Sequence, residues 1–236
     1  MDETEFLTLL GVGFLLGLRH ALDTDHLAAV STVLAERPSL LASGAVGLWW
    51  GIGHTLTLLL VGSVVLAWGL HIPEEFEMIA ESGVALLLII LGGTLAGRLY
   101  RERWHVHSHH HHDGERHVHF HSHQQQESHS HQHWIVDSIR PLCIGMAHGL
   151  AGSAALMLMI LATTTDVGSG LFSILIFGIG SILGMMMIGL TISVPVIYSR
   201  SISQRLFTGV QSLASLASVS VGLWMLIKMA RSIAGY

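Results

Sequence analysis

The chain has 236 residues, 51% of them hydrophobic and only 11% charged, with a formal net charge of −5. Soluble domains carry about 25% charged residues, so this composition excludes an ordinary soluble globule and points to an all-α integral membrane protein. The mild charge gives no case for nucleic acid, and the one cysteine, Cys143, excludes an internal disulfide and a multi-cysteine zinc site.

The N-terminal Met1-Asp2-Glu3-Thr4-Glu5 lacks the basic region of a signal peptide, so the first apolar stretch is expected to be retained. A helix needs about 20 apolar residues to cross a bilayer. Six transmembrane helices are expected, at roughly 5–35, 40–70, 78–100, 138–163, 169–199 and 206–231. Inside the first stands Arg19-His20-Ala21-Leu22-Asp23-Thr24-Asp25-His26, where five of eight side chains are ionisable or imidazole. A charge at the bilayer centre costs roughly 2.5–3.5 kcal/mol, so this cluster is too costly to be packing filler. Two imidazoles and two carboxylates are a donor set that divalent transition metals accept. The plainer alternative is an ion pair of Arg19 with Asp23 or Asp25, with the histidines as packing. Arg19 has no lone pair for a metal, and a structural role suits it better.

On a straight helix each residue advances about 100°. Relative to His20, Asp23 then lies near −60° and His26 near −120°, one stripe, while Asp25 lies near +140°. His20 and His26 are also about 9 Å apart along the axis, too far to serve one ion from both ends. Either His20 and Asp23 act with residues from other spans, or the helix unwinds and lets Asp25 and His26 join; unwinding is expected near Ala21–Asp25, as broken helices are tolerated where they line a polar cavity.

In the second stretch, His54 follows Gly51-Ile52-Gly53 and is a further metal candidate. Between the third and fourth lies a tract with 13 of the 18 histidines, from His105 to His133. It has almost no apolar residues and is expected to be disordered without metal, its repeated imidazoles capturing divalent ions weakly. In the second half, His148 opens Gly149-Leu150-Ala151-Gly152-Ser153; Ser153 offers a weak oxygen or a helix bridge. Pro195 is expected to kink the fifth span. Met185-Met186-Met187 suggests soft-metal chemistry, but adaptable packing is the default for methionine.

The halves repeat at an offset of about 128 residues. Gly17-Leu18-Arg19-His20-Ala21-Leu22 matches Gly145-Met146-Ala147-His148-Gly149-Leu150, and Gly51-Ile52-Gly53 matches Gly178-Ile179-Gly180. Three spans per half give opposite insertion, a 3+3 inverted repeat with a site near the midplane. The units are 1–100, the first repeat; 101–137, the His-rich loop; and 138–236, the second repeat. The connections after spans one, three and five, with their flanks, hold eight arginines, against Lys228 and Arg231 on the other side. That imbalance puts the His-rich loop in the cytoplasm and both termini outside.

His20-x4-Asp25-His26 within Arg-His-Ala-Leu-Asp-Thr-Asp-His-Leu resembles the signature of the nickel/cobalt transporter (NiCoT) family, and Gly53-His54-Thr55 resembles its motif in the following helix. The resemblance implies a membrane permease carrying Ni2+ or Co2+ as transported substrate, with His20, Asp23, Asp25, His26 and His54 binding the metal. Typical members have eight spans and an Asp-Thr-Ala-Thr-Glu-like motif in the second half. Six spans and Met146-Ala147-His148-Gly149 resemble instead the short urease-accessory (UreH-like) branch.

The reading is thus a multi-pass permease of the cell membrane, not an enzyme, with His148 as the repeat mate of His20. Its partners are a divalent metal ion and the lipid bilayer, and a homo-oligomer is compatible with it. Two rivals stand beside it. An exporter of Ni2+, Co2+ or Zn2+ fits six spans and a His-rich loop, although no expected span carries a His-x3-Asp motif. An intramembrane metalloenzyme would need a motif such as His-Glu-x2-His, which is missing.

Overall fold

The computed structural model describes residues 3–36, 39–70, 72–103, 107–110, 116–119, 134–152 and 166–234. Among them are seven helices: α1 (Glu3–His20), α2 (Thr24–Glu36), α3 (Leu40–Trp68), α4 (Glu74–Arg103), α5 (Trp134–Ala151), α6 (Val167–Ile202) and α7 (Gln204–Ala234). Four of these, α3, α4, α6 and α7, are long and apolar enough to cross a membrane. The later part of the expected fourth span, with Ser153, lies outside the described residues. Helices satisfy their backbone groups internally, which hydrocarbon demands. Large apolar side chains such as Leu41, Leu60, Ile79 and Leu213 stand exposed on the bundle surface, where lipid rather than water would meet them.

The first apolar stretch is two helices, not one. Between α1 and α2 the Leu22 N–H donates to the Arg19 carbonyl at 2.9 Å and the Asp23 N–H to the His20 carbonyl at 3.0 Å. These three-residue steps replace the regular four-residue ladder, which resumes with the Leu27 N–H on the Asp23 carbonyl at 3.0 Å. The unwinding expected at Ala21–Asp25 is therefore present. Pro195 lies within α6, which continues through it to Ile202. Helix α3 closes on Gly69 at φ 62°, a left-handed conformation that favours glycine. Helix α6 opens on Asp166, whose side chain accepts from the Ser169 N–H at 3.1 Å. The Ser169 hydroxyl and N–H hold the Asp166 carboxyl below its ordinary range.

Helix α3 packs between α5 and α6, α1 lies on α6, and α4 lies on α7. These contacts are made through glycine. Gly17 of α1 lies against the Phe177 carbonyl of α6, and Gly145 of α5 against the Trp50 carbonyl of α3. Gly180 of α6 faces the Phe14 carbonyl, and Gly53 of α3 faces the Leu142 carbonyl. Gly92 of α4 faces the Ser215 carbonyl, and Gly222 of α7 faces the Ala85 carbonyl. Each contact thus has a counterpart in which the two halves have exchanged places. The central core joins Ala21, Ala29, Val30, Leu34, Trp50, Leu88 and Met185. Met185 is buried there while Met187 is exposed, so the methionine run does not converge on one point.

At one end of the bundle, Glu36 closes α2 with a largely buried carboxylate. Arg140 of α5 donates to its Oε2 at 2.8 Å, and Arg98 of α4 stands 3.5 Å from the same oxygen. Between α4 and α5, strands β1 (His107–His110) and β2 (Arg116–His119) pair antiparallel, with His107 opposite His119 and His109 opposite His117. Where disorder is expected through the histidine tract, these eight residues form a ribbon. The His-x-His pattern has the period of two that a strand requires. The remaining histidines of the tract lie outside the described residues.

Candidate metal centre

Four imidazoles from four helices meet at the break in the first stretch. His20 ends α1 and His26 lies in the first turn of α2; their Nε2 atoms are 3.3 Å apart. A straight helix would have separated them by about 9 Å along its axis, so the unwound turn Ala21–Asp23 makes the contact. His54 arrives from α3, its ring centroid 5.0 Å from that of His20 and 5.4 Å from that of His26. His148 arrives from α5, 4.9 Å from His26. Gly149 brings it there, since the backbone at that point lies against His54. Asp25 places Oδ2 4.0 Å from His148 Nε2.

Two sets of three donors result, His20–His26–His54 and Asp25–His26–His148, each with its donor atoms within 4.8 Å of one another. Bonds of about 2.1 Å put neighbouring ligands roughly 3–3.4 Å apart, so a small contraction suits either set to an ion. His26, His54 and His148 are at most 2% exposed. Their nitrogens have too few partners: His26 Nδ1, both nitrogens of His54 and His148 Nε2 are buried without a hydrogen bond among the described residues. Buried polar nitrogens are normally satisfied. Three such side chains in one place are a set of donors that could hold a metal ion.

The remaining ring nitrogens are anchored. His148 Nδ1–H donates to the Ile144 carbonyl at 3.0 Å, leaving the Nε2 lone pair facing the cluster. His20 Nδ1 is 2.7 Å from Asp23 Oδ2, so its Nε2 likewise faces inward. Metal-binding histidines are oriented in this way through their other nitrogen. Asp23, expected among the ligands, belongs to neither donor set among the described residues. Its side chain is 55% exposed and lies on the outer side of His20. The wheel put it on the histidine stripe because a straight helix was assumed; unwinding moves Asp25 in and leaves Asp23 out. Arg19 is exposed and makes no ion pair with either aspartate among the described residues.

Two neighbours carry no polar signal that sequence reasoning would single out. Trp50 lies with its ring 5.1 Å from His148 and is fully buried, and Phe177 packs 5.5 Å from His20. They wall the cluster with low-dielectric surface, which strengthens an ion's attraction to its ligands.

Over 195 residues the chain is 35% identical to the urease accessory protein UreH of Bacillus sp. (strain TB-90), a match covering 83% of this chain and 80% of that protein. The chain belongs to the nickel/cobalt transporter family, in its UreH-like branch. A high-affinity nickel transport protein of Cupriavidus necator is 33% identical over 99 residues, covering 39% of this chain and 26% of that longer protein. No protein-family model and no solved structure matches the chain. Of the signature residues, His20, Asp25 and His26 are gathered at one point with His54 and His148.

Proposed function

We propose that the protein carries Ni2+, and by the same donor chemistry Co2+, across the cell membrane into the cytoplasm. The observation that carries this reading is the cage of buried, unpartnered imidazoles with one carboxylate, built at a helix break in an apolar bundle. The relatives support it: one is named a nickel transport protein and the other an accessory protein of a urease. Neither name is that of an enzyme acting within the membrane. His20, Asp25, His26, His54 and His148 hold the ion. Nitrogen and carboxylate donors suit both metals, and geometry must do the selecting, since the affinity series alone favours Cu2+.

The reading includes six spans in a 3+3 inverted repeat. The exchanged glycine contacts support it. Gly17–Phe177 and Gly145–Trp50 map onto one another at offsets of 128 and 127, and Gly92–Ser215 onto Gly222–Ala85 at 130. The two first helices of such repeats meet at the midplane, as α1–α2 and α5 meet through His26 and His148. The meeting of Glu36, Arg98 and Arg140 agrees with the charge count, which puts those ends in the cytoplasm with the termini outside. The His-rich loop then collects ions on the cytoplasmic side, and the β1–β2 pairing sets two histidine pairs cross-strand.

Radioactive Ni2+ supplied to cells expressing the protein tests the direction. Accumulation above the empty-vector control is expected; depletion would make it an exporter, and no change would favour the enzyme rival. Asp23→Asn is expected to weaken metal affinity by about 10-fold without abolishing uptake, because the side chain acts through His20 Nδ1. Titration of the purified variant with Ni2+ checks this, and an unchanged affinity would remove Asp23 from the site altogether.

A further inference from the structure

His26 belongs to both donor sets. Its ring centroid is 4.9 Å from that of His20 on one side and 4.9 Å from that of His148 on the other. The sets differ in chemistry. His20–His26–His54 is all imidazole and adds no charge, while Asp25–His26–His148 includes a carboxylate. They differ also in which member is partly exposed. Each has two buried members and one that is partly exposed, His20 at 21% in the first and Asp25 at 25% in the second. The buried ring of His26 is next to both His20 and His148. Its Nε2 faces His20 while its Nδ1 has no partner.

We infer that these are two overlapping ion positions used in turn, with His26 as the ligand common to both. This rests on the transport reading above. An ion held by His20, His26 and His54 exchanges His20 and His54 for Asp25 and His148, with His26 a ligand before and after. The ion passes from one set to the other without returning to water, and no proton or electron is transferred in the exchange. The positions are filled one at a time. Coulomb energy scales with the product of the charges, so two divalent ions sharing one imidazole repel four times as strongly as two univalent ones at the same spacing. The carboxylate favours the second position, because it neutralises part of the charge inside a low-dielectric bundle.

Co2+ is the probe, because its absorption bands and X-ray absorption report how many nitrogen and oxygen ligands it has. The full-length protein in detergent is expected to bind one Co2+. His54→Gln removes a ligand from the first position only, and its bound Co2+ should show a carboxylate oxygen with fewer imidazoles. Asp25→Asn removes a ligand from the second only, and its Co2+ should show imidazoles and no carboxylate. Both variants should keep stoichiometric binding yet lose uptake by about 10-fold or more, and the double variant should lose binding. His148→Gln carries the same test for the second position should Asp25→Asn not elute as folded protein. Loss of binding in either single variant, two Co2+ bound together by the unsubstituted chain, or identical spectra in both variants would overturn the inference. Failure of the transport reading looks different: the unsubstituted chain would then bind no Co2+ or Ni2+ and alter their content in cells not at all.

Discussion

Replacing His26 by alanine should abolish nickel uptake, by about 100-fold or more. No other residue is a member of both donor sets. Its imidazole is 1% exposed, so water cannot replace the lost donor without entering the core. The substitution also leaves His20 Nε2 without its neighbour at 3.3 Å and removes the ring between Trp50 and His54. A buried truncation on this scale costs about 2–5 kcal/mol of stability on its own account, so uptake must be normalised to folded protein. His26→Gln fills more of the space and offers a poorer ligand, and it should be as inactive while more stable. Uptake of His26→Ala within twofold of the unsubstituted chain, at equal amounts of folded protein, would show that the cluster is not the ion's path. His20→Ala and Asp25→Ala should follow the same pattern.

The second large effect is on the fold. Gly145→Val and Gly17→Val should each prevent assembly of the bundle. A Cβ at either position would fall on a main-chain carbonyl of the facing helix, Trp50 for Gly145 and Phe177 for Gly17. Overpacking of a side-chain core costs typically 1–3 kcal/mol, because side chains can turn aside. A carbonyl within a helix cannot turn aside, so here the helices must separate, and close approach of small residues is what holds membrane helices together. Gly93 is the control. Nothing lies within 4 Å of a Cβ built there, and Gly93→Ala should stabilise its helix by up to about 1 kcal/mol. Size-exclusion profiles and melting in detergent will separate the cases; Gly145→Val behaving as the unsubstituted chain would refute the packing described.

Much of this was legible in the sequence, and for physical reasons. Apolar runs marked the long helices because hydrocarbon sets their length. The break at Ala21–Asp23 was legible because no straight helix brings His20 to His26. His54 and His148 stood out as imidazoles in apolar surroundings. Which carboxylate joins the histidines was not legible, because the wheel describes a straight helix and the unwound turn brings Asp25 rather than Asp23 into a donor set. Glu36 stands just past the end of the expected first span and carries no signal of its own in the sequence. Only the crossing of α2, α4 and α5 shows that two arginines converge on it. Trp50 and Phe177 have no sequence signal, since an aromatic residue in a membrane helix is ordinary until the neighbouring helix is placed.

The arginines at Glu36 have a consequence in time. With the orientation proposed, Arg98 and Arg140 are among the charges that hold the central loop in the cytoplasm while the helices enter the bilayer. At that stage each guanidinium acts alone and is hydrated. Once α2, α4 and α5 have come together, both are drawn to one carboxylate, 2.8 and 3.5 Å away. The same pair of side chains therefore serves first as a topological signal and later as a clasp. Exchanging Arg140 for a neutral residue disturbs two stages of biogenesis, insertion and assembly, whereas exchanging Glu36 disturbs the second alone.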